Sequence, residues 1–190
     1  TQLVEDDQLW CDCTIDLHDA VLTEIADFRG ATFNRDANFR GATFTNDANF
    51  WDATFKRYAD FRRATFKRYA DFWDAAFTND ANFWGATFKR YADFWRAAFN
   101  REANFRGATF KRDADFRDAA FTNDADFWGA TFKRDADFRD AAFTNDANFR
   151  GATFSRSAPP KGLPPEQVDE DGLPHGARWA DADDEGLEAG

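Results

Sequence analysis

Hydrophobic positions in this 190-residue chain recur with a rhythm that neither an α-helix nor an ordinary β-strand produces. All 24 phenylalanines fall at alternating spacings of five and six residues, from Phe28, Phe33, Phe39 and Phe44 through to Phe154. An Ala stands two residues before each of them. An amphipathic helix needs apolar positions about every 3.6 residues and a half-buried strand about every 2. The rhythm therefore belongs to a repeat. An eleven-residue pair of units, A-D-F-R-G then A-T-F-N-R-D, recurs twelve times between Ala26 and Ser157. Self-similarity at a short fixed period is the signature of a solenoid, whose function lies on the surface of the coil.

Polar positions double the structural period, because successive pairs of units alternate. Thr109, Thr131 and Thr153 alternate with Ala120 and Ala142 before the Phe; Gly107, Gly129 and Gly151 alternate with Asp118 and Asp140 after it. Two kinds of pair make one turn, and a turn with four Ala/Phe units is a four-sided coil. Each Phe points inward and the small Ala leaves room beside it. One inward stack is Phe28, Phe50, Phe72, Phe94, Phe116 and Phe138.

The units resemble the pentapeptide-repeat family, whose pattern is A-(D/N)-(L/F)-x-x; A-D-F-R-G at Ala26 to Gly30 and A-N-F-R-G at Ala103 to Gly107 carry the likeness, which covers about two thirds of the chain. The resemblance implies an all-β fold, a right-handed quadrilateral β-helix, and a scaffold shared without a shared chemistry. This sequence departs from an even period of five by a sixth residue in every second unit, as at Asp36, Tyr58 and Asp80.

Three segments follow. Residues 1–25 continue the repeat in degenerate form: Ala20 with Leu22, Ile15 with Leu17, and Leu9 with Cys11 read as an N-terminal cap, with Leu17 and Leu22 lying one full turn before Phe39 and Phe44. Residues 26–157 are the coil. From Ala158 the chain turns rich in Pro, Gly, Asp and Glu, beginning with Pro159 and Pro160, and residues 158–190 read as a disordered acidic tail. Charge follows the same division. Seven acidic and no basic side chains lie in 1–25, 19 acidic and 22 basic in 26–157, nine acidic and two basic in 158–190. The net charge of −11 is thus terminal and the coil is slightly basic. That weighs against the activity the resemblance most readily suggests, protection of a type II topoisomerase by an acidic coil that mimics duplex DNA.

Stacking of successive turns sorts the outward side chains into columns. Lys67, Lys89, Lys111 and Lys133 form one, and Arg68, Arg90, Arg112, Arg134 and Arg156 the next. Such a stripe suits an anionic polymer or nucleic acid. A neighbouring column of Asp71, Asp93, Asp115 and Asp137 suggests instead a self-neutralised belt of ion pairs. Trp51, Trp73 and Trp95 form an aromatic column, with Tyr69 and Tyr91 at the corner before the same face. Exposed aromatic patches mark partners, whether a protein, a sugar or a neighbouring copy of the chain. The competing use is as flat cover for the repeat surface, which suits Trp84 and Trp128, separated in their column by Arg106.

Catalytic chemistry has no anchor. His18 and His175 lie outside the coil, the Asp residues are repeated surface positions, and the Gly residues are spread at the repeat interval instead of forming a phosphate loop. Cys11 and Cys13 are too few for a structural zinc site and read as small cap hydrophobes. The expectation is a non-enzymatic scaffold with no cofactor, no metal and no small-molecule substrate. No apolar run is long enough for a membrane helix and cysteine use is sparse, so a cytoplasmic protein is expected. The absence of Met and the start at Thr1 read as a fragment or processed form.

Overall fold

A computed structural model describes residues 14–145 and 147–181. The chain winds as a parallel β-solenoid with four faces and no α-helix among the described residues. Every strand is two residues long. The first face stacks six strands from Ile15–Asp16 to Ala125–Asp126; the second stacks eight, from Val21–Leu22 to Arg178–Trp179. The third runs from Ala26–Asp27 to Ala136–Asp137 and the fourth from Thr32–Phe33 to Ala142–Phe143, six strands each. One register holds throughout the coil, each strand pairing with its equivalent one turn on: Ala37 with Ala59, Thr65 with Thr87, Ala70 with Ala92, Ala76 with Ala98.

Short strands suffice because each coil hydrogen-bonds to the next beyond the strands as well. Phe50 N donates to Asp71 O at 2.7 Å and Asp52 N to Trp73 O at 2.9 Å, so corner amides are satisfied from the neighbouring coil. Inside, the Phe rings stack along the axis. Phe72 and Phe94 lie 4.9 Å apart at 2°, while across the coil Phe72 meets Phe83 edge-on at 5.4 Å and 89°. Offset stacking along one direction and edge-to-face contact along the other are the two geometries that the ring quadrupole favours. Each buried Phe contributes roughly 1.5–3 kcal/mol before chain entropy is counted.

The two unit lengths make two kinds of corner. In the five-residue unit, the Asp or Asn after the Ala turns its Oδ1 back onto the amide two residues on: Asn49 accepts from Trp51 N at 2.9 Å, Asp71 from Trp73 N at 3.0 Å. The turn then closes with Ala53 N donating to Phe50 O at 3.0 Å. Its third residue sits at positive φ, whether Gly41 at 68°, Asp52 at 56° or Gly107 at 61°. Here lies the physical reason for the Asp/Asn after Ala and for the Gly/Asp alternation. The six-residue unit has Thr or Ala at the carboxamide position and turns without a left-handed residue. A Cβ at Gly107 would meet nothing within 4 Å. Gly107→Ala is therefore expected to cost only the left-handed backbone penalty, about 1–2 kcal/mol, and Gly107→Asp less, since Asp recurs there. Urea titration of both variants gives the order; a larger loss for Asp would contradict it.

At the N-terminal end Ile15 pairs with Ala37 and Leu22 with Phe44, and Ile15, Leu17 and Leu22 pack against the Phe core. Leu9, Cys11 and Cys13 lie outside the described residues. At the other end the structure departs from the expected disordered tail over residues 158–181. Lys161 adds a bridge beside Asp137 on the third face, accepting from Phe138 N at 2.8 Å and donating to Ala136 O at 3.0 Å. Gly176 O accepts from Gly151 N at 2.8 Å over the first face. Arg178–Trp179 pairs with Thr153–Phe154, so Trp179 continues the second face. Leu173 is buried, and Leu163, Ala177 and Trp179 pack on the core. The segment is a cap: without it the last Phe rings would face water. Residues 182–190 lie outside the described residues.

Candidate interaction face

The third face carries the aromatic column, and its geometry follows from the corner. The residue after each inward Phe is the second of the turn, so its side chain stands outward and stacks on its equivalent one coil away. Trp51 and Trp73 lie 5.6 Å apart at 23°, Trp73 and Trp95 5.2 Å apart at 7°. The guanidinium of Arg117, the next residue in the column, lies 5.1 Å from the Trp95 ring and closes the stack by a cation–π contact. Trp95 Nε1 donates to Asp118 Oδ2 at 2.8 Å. Trp73 Nε1 is buried with no acceptor among the described residues. Trp51 is 41 % exposed, whereas Trp73 and Trp95 are half-buried between their neighbours. Below Trp51 a shallow open depression is lined by Asp27, Arg29, Gly30, Trp51 and Asp52.

Tyr69 and Tyr91 stand on the other side of the same face and stack at 5.6 Å and 17°. Their hydroxyls reach one coil onward, Tyr69 donating to Asp93 Oδ2 and Tyr91 to Asp115 Oδ2, each at 2.8 Å. Burial first, then the adjacent carboxylates, holds both phenols well above their ordinary range. The aromatic residues thus share one face, but a buried column of Asp71, Asp93 and Asp115 runs between the Tyr and the Trp. The sequence pattern puts these carboxylates at an outward strand position; it does not reveal that the flanking rings close over them.

Burial pushes the Asp71 and Asp93 carboxyls upward, against the bonds from Trp73 N and Trp95 N that favour their charged forms. A raised carboxyl costs nothing below the unfolded value, ~3.9. The penalty appears as pH rises from there through the folded value and is complete above it. Asp71→Asn is isosteric with Asn49, its partner in register, and keeps the Oδ1 acceptor. Thermal melts should show the variant more stable than the native chain at neutral pH, with the gap closing near pH 3. A gap of equal size at both pH values would contradict the assignment.

The basic stripe occupies the corner between the second and third faces. Among the described residues, the carboxylates of the Asp column have nearer partners than the Lys and Arg columns expected to neutralise them. Asp115 is held by Arg117 Nη2 at 2.5 Å and Asp137 by Arg139 Nη2 at 2.6 Å, both two residues along the chain, while Asp71 and Asp93 face the Trp and Tyr. An Arg two residues after Asp lies on the same outward side of the turn and needs no coil-to-coil reach, so it wins the carboxylate. Lys67, Arg68, Lys89 and Arg90 stay exposed. On the first face, Arg63 lies 4.8 Å from the Trp84 ring and Arg106 4.9 Å from that of Trp128, the surface-covering use expected for these two Trp.

No group of three or more His, Cys, Asp and Glu able to hold a metal ion occurs among the described residues. His18 pairs with Asp16 at 2.8 Å, and His175 Nε2 lies 3.1 Å from Glu166 O. No helix among the described residues is long and apolar enough to cross a membrane.

Four parallel sheets in one repeating register around a Phe-stacked interior define a repeat protein of the β-solenoid class. The family model for pentapeptide repeats (9 copies) matches residues 17–65, 83–131 and 94–142, and the chain belongs to that family. No curated protein matches the chain. Membership is consistent with a non-enzymatic repeat protein.

Proposed function

We propose that the chain is a non-enzymatic scaffold that docks a protein partner through its third face, and that the simplest partner is a second copy of itself. The supporting observation is the unbroken stack Trp51–Trp73–Trp95, exposed at Trp51 beside an open depression, whereas the exposed Trp84 and Trp128 stand singly, each against an Arg. Aromatic anchors at the centre of a docking surface contribute several times more than the polar positions around them. A straight face on a regular rod can meet its own copy about a two-fold axis.

Sedimentation velocity tests the reading. The native chain should run as a dimer and the Trp51→Arg, Trp73→Arg double variant as a monomer. The variant keeps the fold, because Arg29, Arg117 and Arg139 hold the same column in other coils; circular dichroism checks this. If both proteins are monomeric and capture the same proteins from extract, the Trp column is surface cover and the reading falls.

A further inference from the structure

Trp rings on this coil are held against arginines, and one end of one stack is not. A guanidinium lies 4.8 Å from the Trp84 ring, 4.9 Å from Trp128, 5.1 Å from Trp95 and 5.5 Å from Trp179. Trp73 is sandwiched between two rings. Trp51 ends the third-face stack. Trp73 covers one side of it, no guanidinium meets it among the described residues, and its other side opens on the depression lined by Asp27, Arg29, Gly30 and Asp52.

An exchange of Asp and Asn leaves that end bare. Arg29 and Arg106 each stand one coil before a Trp of their own column. Arg106 follows Asn104, and the next coil offers Asp126 in register; the side chain reaches forward to Asp126 Oδ2 at 3.6 Å, which lays it over Trp128. Arg29 follows Asp27, and the next coil offers only Asn49. Its guanidinium therefore folds back on Asp27, Nε donating to Oδ1 at 2.9 Å and Nη2 to Oδ2 at 2.7 Å. Asp27 and Arg29 cancel, so the depression keeps the charge of Asp52, an exposed carboxylate with no ion pair among the described residues. Two of its equivalents are engaged, Asp74 with Arg96 at 3.1 Å and Asp118 with Trp95 Nε1 at 2.8 Å. Gly30, one coil before Asp52, leaves the space open: a Cβ there would meet nothing within 4 Å.

We propose that this depression is a guanidinium site, taking an arginine side chain of a protein that docks on the third face. The side chain stacks on the open side of Trp51 and donates its N–H groups to Asp52. The inference rests on the third face being the docking face and names the partner's chemistry at its open end. A guanidinium suits the place better than an ammonium, because it is planar and weakly hydrated and can lie on an indole while its edge forks onto a carboxylate.

The probe is a blocked Gly-Arg-Gly peptide, with its citrulline analogue as the uncharged control of similar shape. Each is titrated into the full chain while the indole N–H signals are followed by NMR, the Trp51 signal being the one lost in Trp51→Phe. The arginine peptide should shift that signal saturably and leave those of Trp84 and Trp128 in place; the citrulline peptide should bind several-fold more weakly. Asp52→Asn should weaken the arginine peptide about two- to five-fold, the range of one exposed ion pair. Asp140→Asn, at the same positive-φ turn position farther along the column, should not. The double exchange Asp27→Asn, Asn49→Asp keeps the net charge and copies the order around Arg106, so it should swing Arg29 over Trp51 and abolish the shift. No shift at Trp51, equal binding of the two peptides, or an unchanged response in Asp52→Asn or in the double exchange would each overturn the site. Sedimentation separates this outcome from the docking reading. A dimer that neither dissociates nor shows the Trp51 shift under the arginine peptide keeps the docking face and removes the site; a monomer with the shift keeps the site and removes self-association.

Discussion

Replacing Phe94 by Ala is expected to lower stability by about 3–5 kcal/mol, the usual range for a buried aromatic truncated to Ala. The ring is fully buried at the middle of the rod. It stacks on Phe72 and Phe116 at 4.9 Å each and meets Phe83 and Phe105 edge-on at 5.5 and 5.4 Å. Deleting it opens a cavity whose walls are themselves rings locked in stacks, so collapse cannot fill the space. In a solenoid each coil touches only its neighbours, and a weak coil in the middle uncouples two halves. Asp126→Asn is the contrasting change. Asp126 pairs in register with Asn104, and its Oδ1 accepts from Trp128 N at 2.9 Å, a role that Asn retains. Its effect should stay within about 0.5 kcal/mol. Denaturant titration giving equal losses at the two positions would contradict the inward and outward assignment.

The fold is legible because the repeat converts one-dimensional spacing into three-dimensional register. Once Phe50 and Phe72 are recognised as equivalents one turn apart, parallel pairing of Ala48 with Ala70 follows. Equivalents of Asp71 and Trp73 are likewise placed one rung apart without further information. What the spacing does not carry is the direction of a side chain across a corner. Tyr69 reads as exposed at a corner, but its hydroxyl reaches Asp93 one coil on and buries the column between. The same blindness applies to the charges. Sequence distance puts Lys67 close before Asp71, and only the turn geometry shows Arg117 and Arg139 taking the carboxylates of that column.

The cap was hidden for a different reason. Between Ala158 and Asp181 the repeat is absent, and Pro, Gly and acidic residues dominate the composition. Average composition cannot register four apolar residues, Leu163, Leu173, Ala177 and Trp179, that each meet the core. Nor does it register that Gly162, Gly172 and Gly176 adopt positive φ. The step from Thr153 to its partner Arg178 is longer than the step from Thr131 to Thr153, so the period that reveals the rest of the fold fails at this point.

Leu173→Ala should therefore loosen the end of the rod and leave its middle intact. Leu173 is 3 % exposed and is the cap residue most fully sunk into the core cluster. A tight loop presents it: Leu173 N donates to Asp169 Oδ1 at 2.9 Å, Asp169 N to Leu173 O at 2.8 Å, and Gly172 sits at φ 76° between them. Truncation is expected to cost about 2–3 kcal/mol, the low part of the range for Leu to Ala, because a site at an end can relax. In a structure of nearest-neighbour couplings that loss falls on local opening. Hydrogen exchange should show it as faster exchange at Arg178 and Ala180, whose amides bond to Ala152 O and Phe154 O. The Phe94 amide, bonded to Asp115 O at 2.7 Å, should exchange as in the native chain. Acceleration at Phe94 equal to that at Ala180 would mean that the rod opens as one unit, and no acceleration at either would mean that residues 158–181 do not cap it.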